Sequence, residues 1–451
     1  MIILNNKKLS INFILICFFV HFPLIAFSDE GINPSWNISG WINESISYYD
    51  DGEGSDAVQI SDNGTTLGSR ITFSGSATLP GELNAGFDVT IEPFSGNPNF
   101  LDGIESGQIT PLVFSNQDNL DSFNGGDIGL LGSSIFIGGS WGKVTIGLQS
   151  MPTDNIGVLG DPSMTIWSGV GALFRGSGFF IRGAEGAGLL EGGATWGSFA
   201  QCMTLNGLGI GIDCNGVYRN GVRYDLPAFG PVSIAVGYAN DDIYDIAAKY
   251  SDKVGDMELR FHVGYAYNAD GGANVAERTV TTVAGVDTGM TAGGDPVLVD
   301  VTSVSLGDTE TEMLTMQMGL MDTATGLFGS FTWQHEEASG DVSEFAEDEN
   351  NAYYTKLGIR KRWNKLGDTA FYAEYGQYDD QYSALLGEQG VTGSKLTRTG
   401  MALEQYFGSK MIVYMKYEQL DVDVEGTDAV EEIYDDVDEL NLFSMGVTYF
   451  F

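Results

Sequence analysis

Basic residues are scarce in this chain. Lys and Arg total 21 of its 451 residues against 61 Asp and Glu, for a net charge of −40 at pH 7. A phosphate binder needs the opposite balance, so nucleic acid is disfavoured as a partner. Histidine and cysteine occur three times each, and no zinc spacing, phosphate loop or nucleotide fingerprint is present. Proline is sparse at 11 residues, while glycine reaches 62 and aromatics 12%, which argues against an ordinary soluble enzyme. After residue 28 no uninterrupted apolar run approaches the roughly 20 residues a membrane helix needs. Disorder is also excluded, because 43% of the chain is hydrophobic.

The N-terminus reads as an export signal: "NNKKLS" is basic, "INFILICFFVHFPLIAF" is apolar, and small residues precede "DEG". Cleavage is expected after Ser28, leaving residues 29–451 as the mature chain. Cys17 lies inside the apolar core, and the residues after it are apolar rather than a polar lipoprotein linker. Loss of Lys7 and Lys8 takes the net charge from −40 to −42. Cys202 and Cys214 then remain. An even pair in an exported protein suggests one disulfide, with two reduced cysteines as the alternative.

What the chain has in abundance is alternation. In "RITFSGSATLPGELNAGFDVTIEP" (70–93), Ile71, Phe73, Gly75, Ala77 and Leu79 precede a turn, and Leu83, Ala85, Phe87, Val89 and Ile91 come after it. Polar residues fill the positions between. Side chains on a strand alternate between faces, so this is a hairpin with one apolar and one polar face. About 16 such segments recur, near 35–49, 67–79, 82–92, 132–140, 143–149, 216–226, 231–240, 243–252, 256–268, 310–321, 325–336, 351–363, 367–379, 396–408, 410–421 and 439–451. Short turns at 80–81, 141–142, 228–231, 253–255, 364–368 and 408–409 alternate with long loops at 93–131, 150–215, 269–309, 338–350, 380–395 and 422–438.

That sorting of connections is expected when every strand crosses one slab. A closed sheet of about 16 strands is also too wide for side chains to fill. Its interior is therefore expected to be polar and wet, with the apolar face against lipid, where closure leaves no unpaired edge. Trp36, Tyr48, Tyr49, Trp141, Trp363, Tyr378, Phe450 and Phe451 are expected in interfacial girdles. The fold class is all-β, a transmembrane antiparallel barrel with short periplasmic turns and long extracellular loops. On the lumen parity fall Arg70, Lys143, Arg219, Arg223, Lys249, Arg260, Lys356, Arg360, Arg362, Arg398 and Lys416, which is 11 of the 19 mature Lys and Arg. Lys361 falls on the lipid parity, beside a turn where its amine can reach headgroups. Arg70, Arg219, Arg223, Arg260, Arg360, Arg362 and Arg398 are the candidates for a basic pore wall.

With its export signal, strand count, loop asymmetry and C-terminal "GVTYFF", the chain resembles the trimeric general porins of the Gram-negative outer membrane. "WGKVTIGLQSMPTDN" looks like the strand leading into that family's inward-folded loop, and "NGVRYDLPAFGPVSIAVGYAND" like the hairpin after it. The resemblance implies a homotrimer in contact with outer-membrane lipid and lipopolysaccharide, passing ions and small hydrophilic solutes by diffusion. It implies that residues 150–215 narrow the pore, with Asp154, Asp161, Glu185 and Glu191 facing the basic wall across a transverse field. No cofactor is implied. Residues 421–439 carry ten acids and no base; they read as a solvated loop, or as a Ca²⁺ bridge to lipopolysaccharide. Three other functions stay open: a substrate-selective channel, a non-conducting structural or adhesive barrel, and an enzyme using His262.

Overall fold

The computed structural model describes residues 34–52, 58–61, 67–93, 128–173, 176, 177, 179–183, 194–203, 211–215, 218–240, 242–272, 274–292, 295–435 and 437–451. The expected export signal lies outside them. In chain order the strands are β1 (Ser35–Asp50), β2 (Val58–Ser61), β3 (Arg70–Leu79), β4 (Leu83–Pro93), β5 (Ile128–Gly139), β6 (Gly142–Ser150), β7 (Tyr218–Asp225), β8 (Val232–Ala239), β9 (Ile243–Val254) and β10 (Met257–Asn268). They continue as β11 (Arg278–Ala292), β12 (Asp295–Leu306), β13 (Thr309–Asp322), β14 (Leu327–Gly340), β15 (Glu349–Lys361), β16 (Thr369–Asp379), β17 (Val391–Phe407), β18 (Met411–Gly426) and β19 (Leu440–Phe450).

Sixteen of these form a closed antiparallel barrel, each paired with its neighbours along the ring. Closure comes from β1, which pairs with β19 from Trp41↔Phe450 to Asp50↔Asn441 and with β3 from Ser35↔Ser76 to Trp41↔Arg70. The sixteen alternating segments of the sequence all fall on barrel strands. Three strands were not expected. Strand β2 pairs with β1 above β3, and β11 and β12 form a separate hairpin inside the long 269–309 connection. The signal for that hairpin is its wealth of Val and Thr.

The parity argument holds around the ring. Outward positions are large and apolar, such as Ile46 at 52% exposed, Leu357 at 65% and Met445 at 48%, while inward neighbours such as Ser45, Thr332 and Ser444 are buried. Three expected girdle residues are corrected. Tyr49 and Tyr378 point inward and are fully buried, and Phe450 faces Trp167 inside the barrel with ring centroids 4.8 Å apart. They occupy the parity opposite their apolar neighbours, which the proximity to strand ends concealed. Acids also take outward positions: Glu312, Glu337 and Asp421 near the long-connection ends of their strands, Asp252 near a short turn, and Glu44 between Ile42 and Ile46, opposite Val447. Lys361 is exposed and donates to the Ala324 carbonyl at the adjacent turn, as expected.

Tight connections gather on one rim. At two of them Gly255 and Gly408 adopt φ of 63° and 62° with open space where a Cβ would sit, so conformation rather than room selects glycine. The other rim carries the long connections, with the single tight exception of 240–242 between β8 and β9.

The interior departs from the uniformly wet lumen expected. The chain after β6 turns into the barrel and packs on one side of it. There Leu173, Phe179, Ile181, Trp196 and Phe199 meet inward-facing Leu396, Leu420, Leu440 and Leu442 in a dry core. The acid-rich 421–439 segment is not simply a solvated loop, because its helix Asp428–Tyr434 buries Val430 in this core and sets Tyr434 against Phe199. A barrel too wide for its own wall residues to fill is thus partly filled by its longest loop.

Leu357→Arg places a guanidinium on the lipid face and is expected to lower stability by roughly 2–4 kcal/mol. Urea unfolding in lipid vesicles measures this, and an unchanged midpoint would contradict the outward assignment.

Candidate pore constriction

A loop enclosed in a barrel must still satisfy its backbone groups, and with little secondary structure it needs side-chain partners. The wall supplies them in sequence. At the entry, Asp245 of β9 accepts from Thr153 N and Thr153 Oγ1, both at 2.8 Å. Gln317 of β13 donates to the Gly157 carbonyl at 2.7 Å and accepts from Gly160 N, bracketing the short helix Ile156–Leu159. On the return, Gln334 of β14 accepts from Asp213 N at 2.9 Å and Cys214 N at 3.1 Å. Cys202 and Cys214 are joined in the expected disulfide, and Glu336 accepts from Met203 N at 3.0 Å beside it.

Between these anchors the wall cations bind loop carbonyls. Lys356 Nζ lies 3.3 Å from Asp161 Oδ2 and donates to the carbonyls of Thr165 at 3.0 Å and Gly169 at 2.8 Å. Arg398 donates to Val170 O at 2.7 Å and Ala172 O at 3.1 Å, Arg360 to Ser163 O at 2.6 Å, and Arg260 to Leu159 O at 3.2 Å. Beneath them Glu374 contacts Lys416 at 2.7 Å and Arg398 at 3.1 Å, and Glu418 contacts Arg398 at 2.6 Å. Buried charge survives here because each ion has an opposite partner and hydrogen bonds.

The seven arginines expected in one basic wall therefore separate. Arg260, Arg360 and Arg398 hold the loop rather than face a passage. Arg362 sits beyond β15 in a turn, its side chain 69% exposed and 3.6 Å from Asp368, outside any wall. Arg70, Arg219 and Arg223 remain on the side the loop leaves free. Even there Arg70 is paired with Glu92 at 2.8 Å, Arg223 with Asp225 at 2.7 Å, and Arg219 Nε donates to Asn215 at 3.2 Å. Of the expected loop acids, Asp161 faces Lys356 on the packed side. Asp154 is buried where the loop enters the barrel, within electrostatic range of Lys249, Arg70 and Arg223. Glu185 and Glu191 lie outside the described residues. The free side holds a polar cavity of about 360 Å³ against β3–β7.

The family model of the Gram-negative porins matches residues 16–425. The chain belongs to the Gram-negative porins. This porin is similar in fold to the anion-selective porin of Comamonas acidovorans, at 14% identity and a TM-score of 0.54, covering 93% of this chain and 100% of that one. It is also similar to OmpT, an outer membrane protein of Vibrio cholerae, at 12% identity and a TM-score of 0.50, covering 93% and 98%. No curated protein matches its sequence. Family and fold together make it a passive outer-membrane channel.

Burial pushes the Asp154 carboxyl of this porin up to about 6, a rise that the Ser150 hydrogen bond and the charges of Lys249, Arg70 and Arg223 oppose. Asp213 is raised well above its ordinary value by burial and then by the Asp154 charge. The loop entry thus gains negative charge as pH rises through 6. Gln317, Gln334 and Asp245 were missed as loop anchors, although each is a polar residue at lumen parity in its strand. His262 is buried, with Lys249 and Gln317 as its cross-strand neighbours.

Below pH 6 protonation of Asp154 removes a buried anion whose field reaches Arg70 and Arg223 on the free wall, so the cation-to-anion permeability ratio is expected to fall with a midpoint near 6. Reversal potentials across a salt gradient check this, and Asp154→Asn is expected to flatten the curve. Lys356→Met leaves Asp161 buried without its cation, which is expected to cost roughly 3–5 kcal/mol of loop packing. The readout is faster proteolysis of the loop in folded, detergent-solubilised protein.

Proposed function

We propose that this porin works as a homotrimer and passes ions and small hydrophilic solutes down their gradients, without catalysis. The observation that carries the reading is the one-sided packing of the inserted loop. It occupies the β13–β19 side and leaves a polar cavity along β3–β7. A narrowed, water-lined gap filters by size and by the charges at its edge.

Support for a trimer comes from a structural neighbour: the Vibrio cholerae OmpT of similar fold, at 13% identity and a TM-score of 0.50, was solved in a trimer form. Export directed by residues 1–28 belongs to the same reading. So do divalent cations such as Ca²⁺ bridging the acids of 421–439 to lipopolysaccharide.

A second reading, a non-conducting structural barrel, is favoured by the dry core inside the extracellular half. Planar-bilayer recording separates the two. The channel reading expects ohmic current that closes in three equal steps per inserted unit. Silent insertion of folded protein would favour the structural barrel.

A further inference from the structure

The free cavity has an unexpected lining. Along β3–β6 the inward positions are hydroxyls: Thr72, Thr90, Ser134 and Thr145 all face it. Its charges cancel nearly in place. Arg223 pairs with Asp225 at 2.7 Å, Lys143 lies 3.5 Å from the same carboxylate, and Arg70 pairs with Glu92 at 2.8 Å. Of the charged side chains that line the cavity itself, Lys143 and Arg223 share the Asp225 carboxylate, and Asp88 is the one acid.

Two aromatic rings are set into this carpet, Phe136 of β5 lying on Gly86 of the adjacent β4 and Tyr218 of β7 reaching across β6 to Gly132 of β5. A Cβ at Gly86 would meet the Phe136 ring at 2.6 Å, and one at Gly132 would meet the Tyr218 ring at 3.0 Å. Glycine at both positions lets the rings lie against the wall. Both rings also line the cavity and stay only half-buried. At about 360 Å³ the space is at the small end of the roughly 300–1,000 Å³ typical of small-molecule sites.

Ring faces beside dispersed hydroxyls, with the lining cations already engaged by Asp225, fit a solute that is itself neutral, hydroxylated and apolar on one face. We propose that this cavity is a binding subsite for neutral saccharides, whose C–H faces rest on Phe136 and Tyr218 while Ser134, Thr145 and the Asp88 carboxylate take the hydroxyls. Lys143 Nζ already stands 5.7 Å over the Phe136 ring and 3.5 Å from Asp225, so the wall's own cation takes that ring's attraction for positive charge and leaves a cationic solute little to gain there. The inference rests on the channel reading and assigns it a preferred solute class.

The test is current block in planar bilayers with the full-length porin, using maltose and, separately, arginine hydrochloride at equal osmolarity as probes. Maltose is expected to reduce the ion current saturably from the cavity, and arginine is not. Phe136→Ala and Tyr218→Ala each remove one ring contact and are expected to raise the half-blocking maltose concentration roughly three- to ten-fold, read relative to each variant's own open-channel current. Ser134→Ala keeps both rings and serves as a folding control for the wall, with a smaller rise expected. An open channel that maltose does not block, or a block unchanged in both ring variants, overturns the saccharide subsite while leaving the channel reading intact. Block by arginine and not maltose overturns it as well. Absence of any current overturns the channel reading itself.

Discussion

Everything in this protein depends on the ring of backbone hydrogen bonds that closes between β1 and β19. Hydrocarbon offers no partner for an exposed amide, so a sheet in lipid is stable only when its two edges meet. The pairing from Trp41↔Phe450 to Asp50↔Asn441 does that, and it ties the chain's last strand to its first. Once the ring is closed, side-chain parity leaves one face for lipid and one for the interior. Every later feature, including the course of the inserted loop, is arranged against that interior face.

The interior then meets a second constraint. A sixteen-stranded ring is wider than its own side chains can fill, and the longest loop enters it. That loop carries many carbonyls and few regular elements, so donors must come from the wall. Lys356, Arg360, Arg398, Gln317 and Gln334 provide them, with Glu374 and Glu418 compensating the buried cations. Most of the conspicuous basic residues inside the barrel thus serve the architecture. The passage is left to the opposite wall, where charges are paired and hydroxyls dominate.

This division alters how charge in such a lumen is to be understood. Net charge of the whole chain says little about the passage, because most acids stand in the loops and the lumen cations Arg260, Lys356, Arg360 and Arg398 are engaged by loop carbonyls. What a solute meets is local: the Arg70–Glu92 and Arg223–Asp225 pairs and two rings seated on glycines, with the buried Asp154 acting on them through its field.

The sixteen barrel strands and most of their lipid-facing residues were determined by the sequence alone, because alternation is a local property of extended chain, whereas Tyr49, Tyr378 and Phe450 near strand ends were not. The disulfide partners and the loop that enters the barrel were likewise legible, the first from a count of two and the second from length and resemblance. What parity cannot say is what an inward residue touches. Arg398 and Arg223 look alike in sequence, yet one holds the loop backbone and the other lines the gap, and Arg362 lies one residue too far along to do either. Leu420, Leu440 and Leu442 were equally silent, since an apolar residue on the inner face has meaning only once something apolar lies across from it. Those distinctions were made by the tertiary path of the inserted loop, which is set by long-range contacts between residues far apart in the chain and leaves no periodic trace in it.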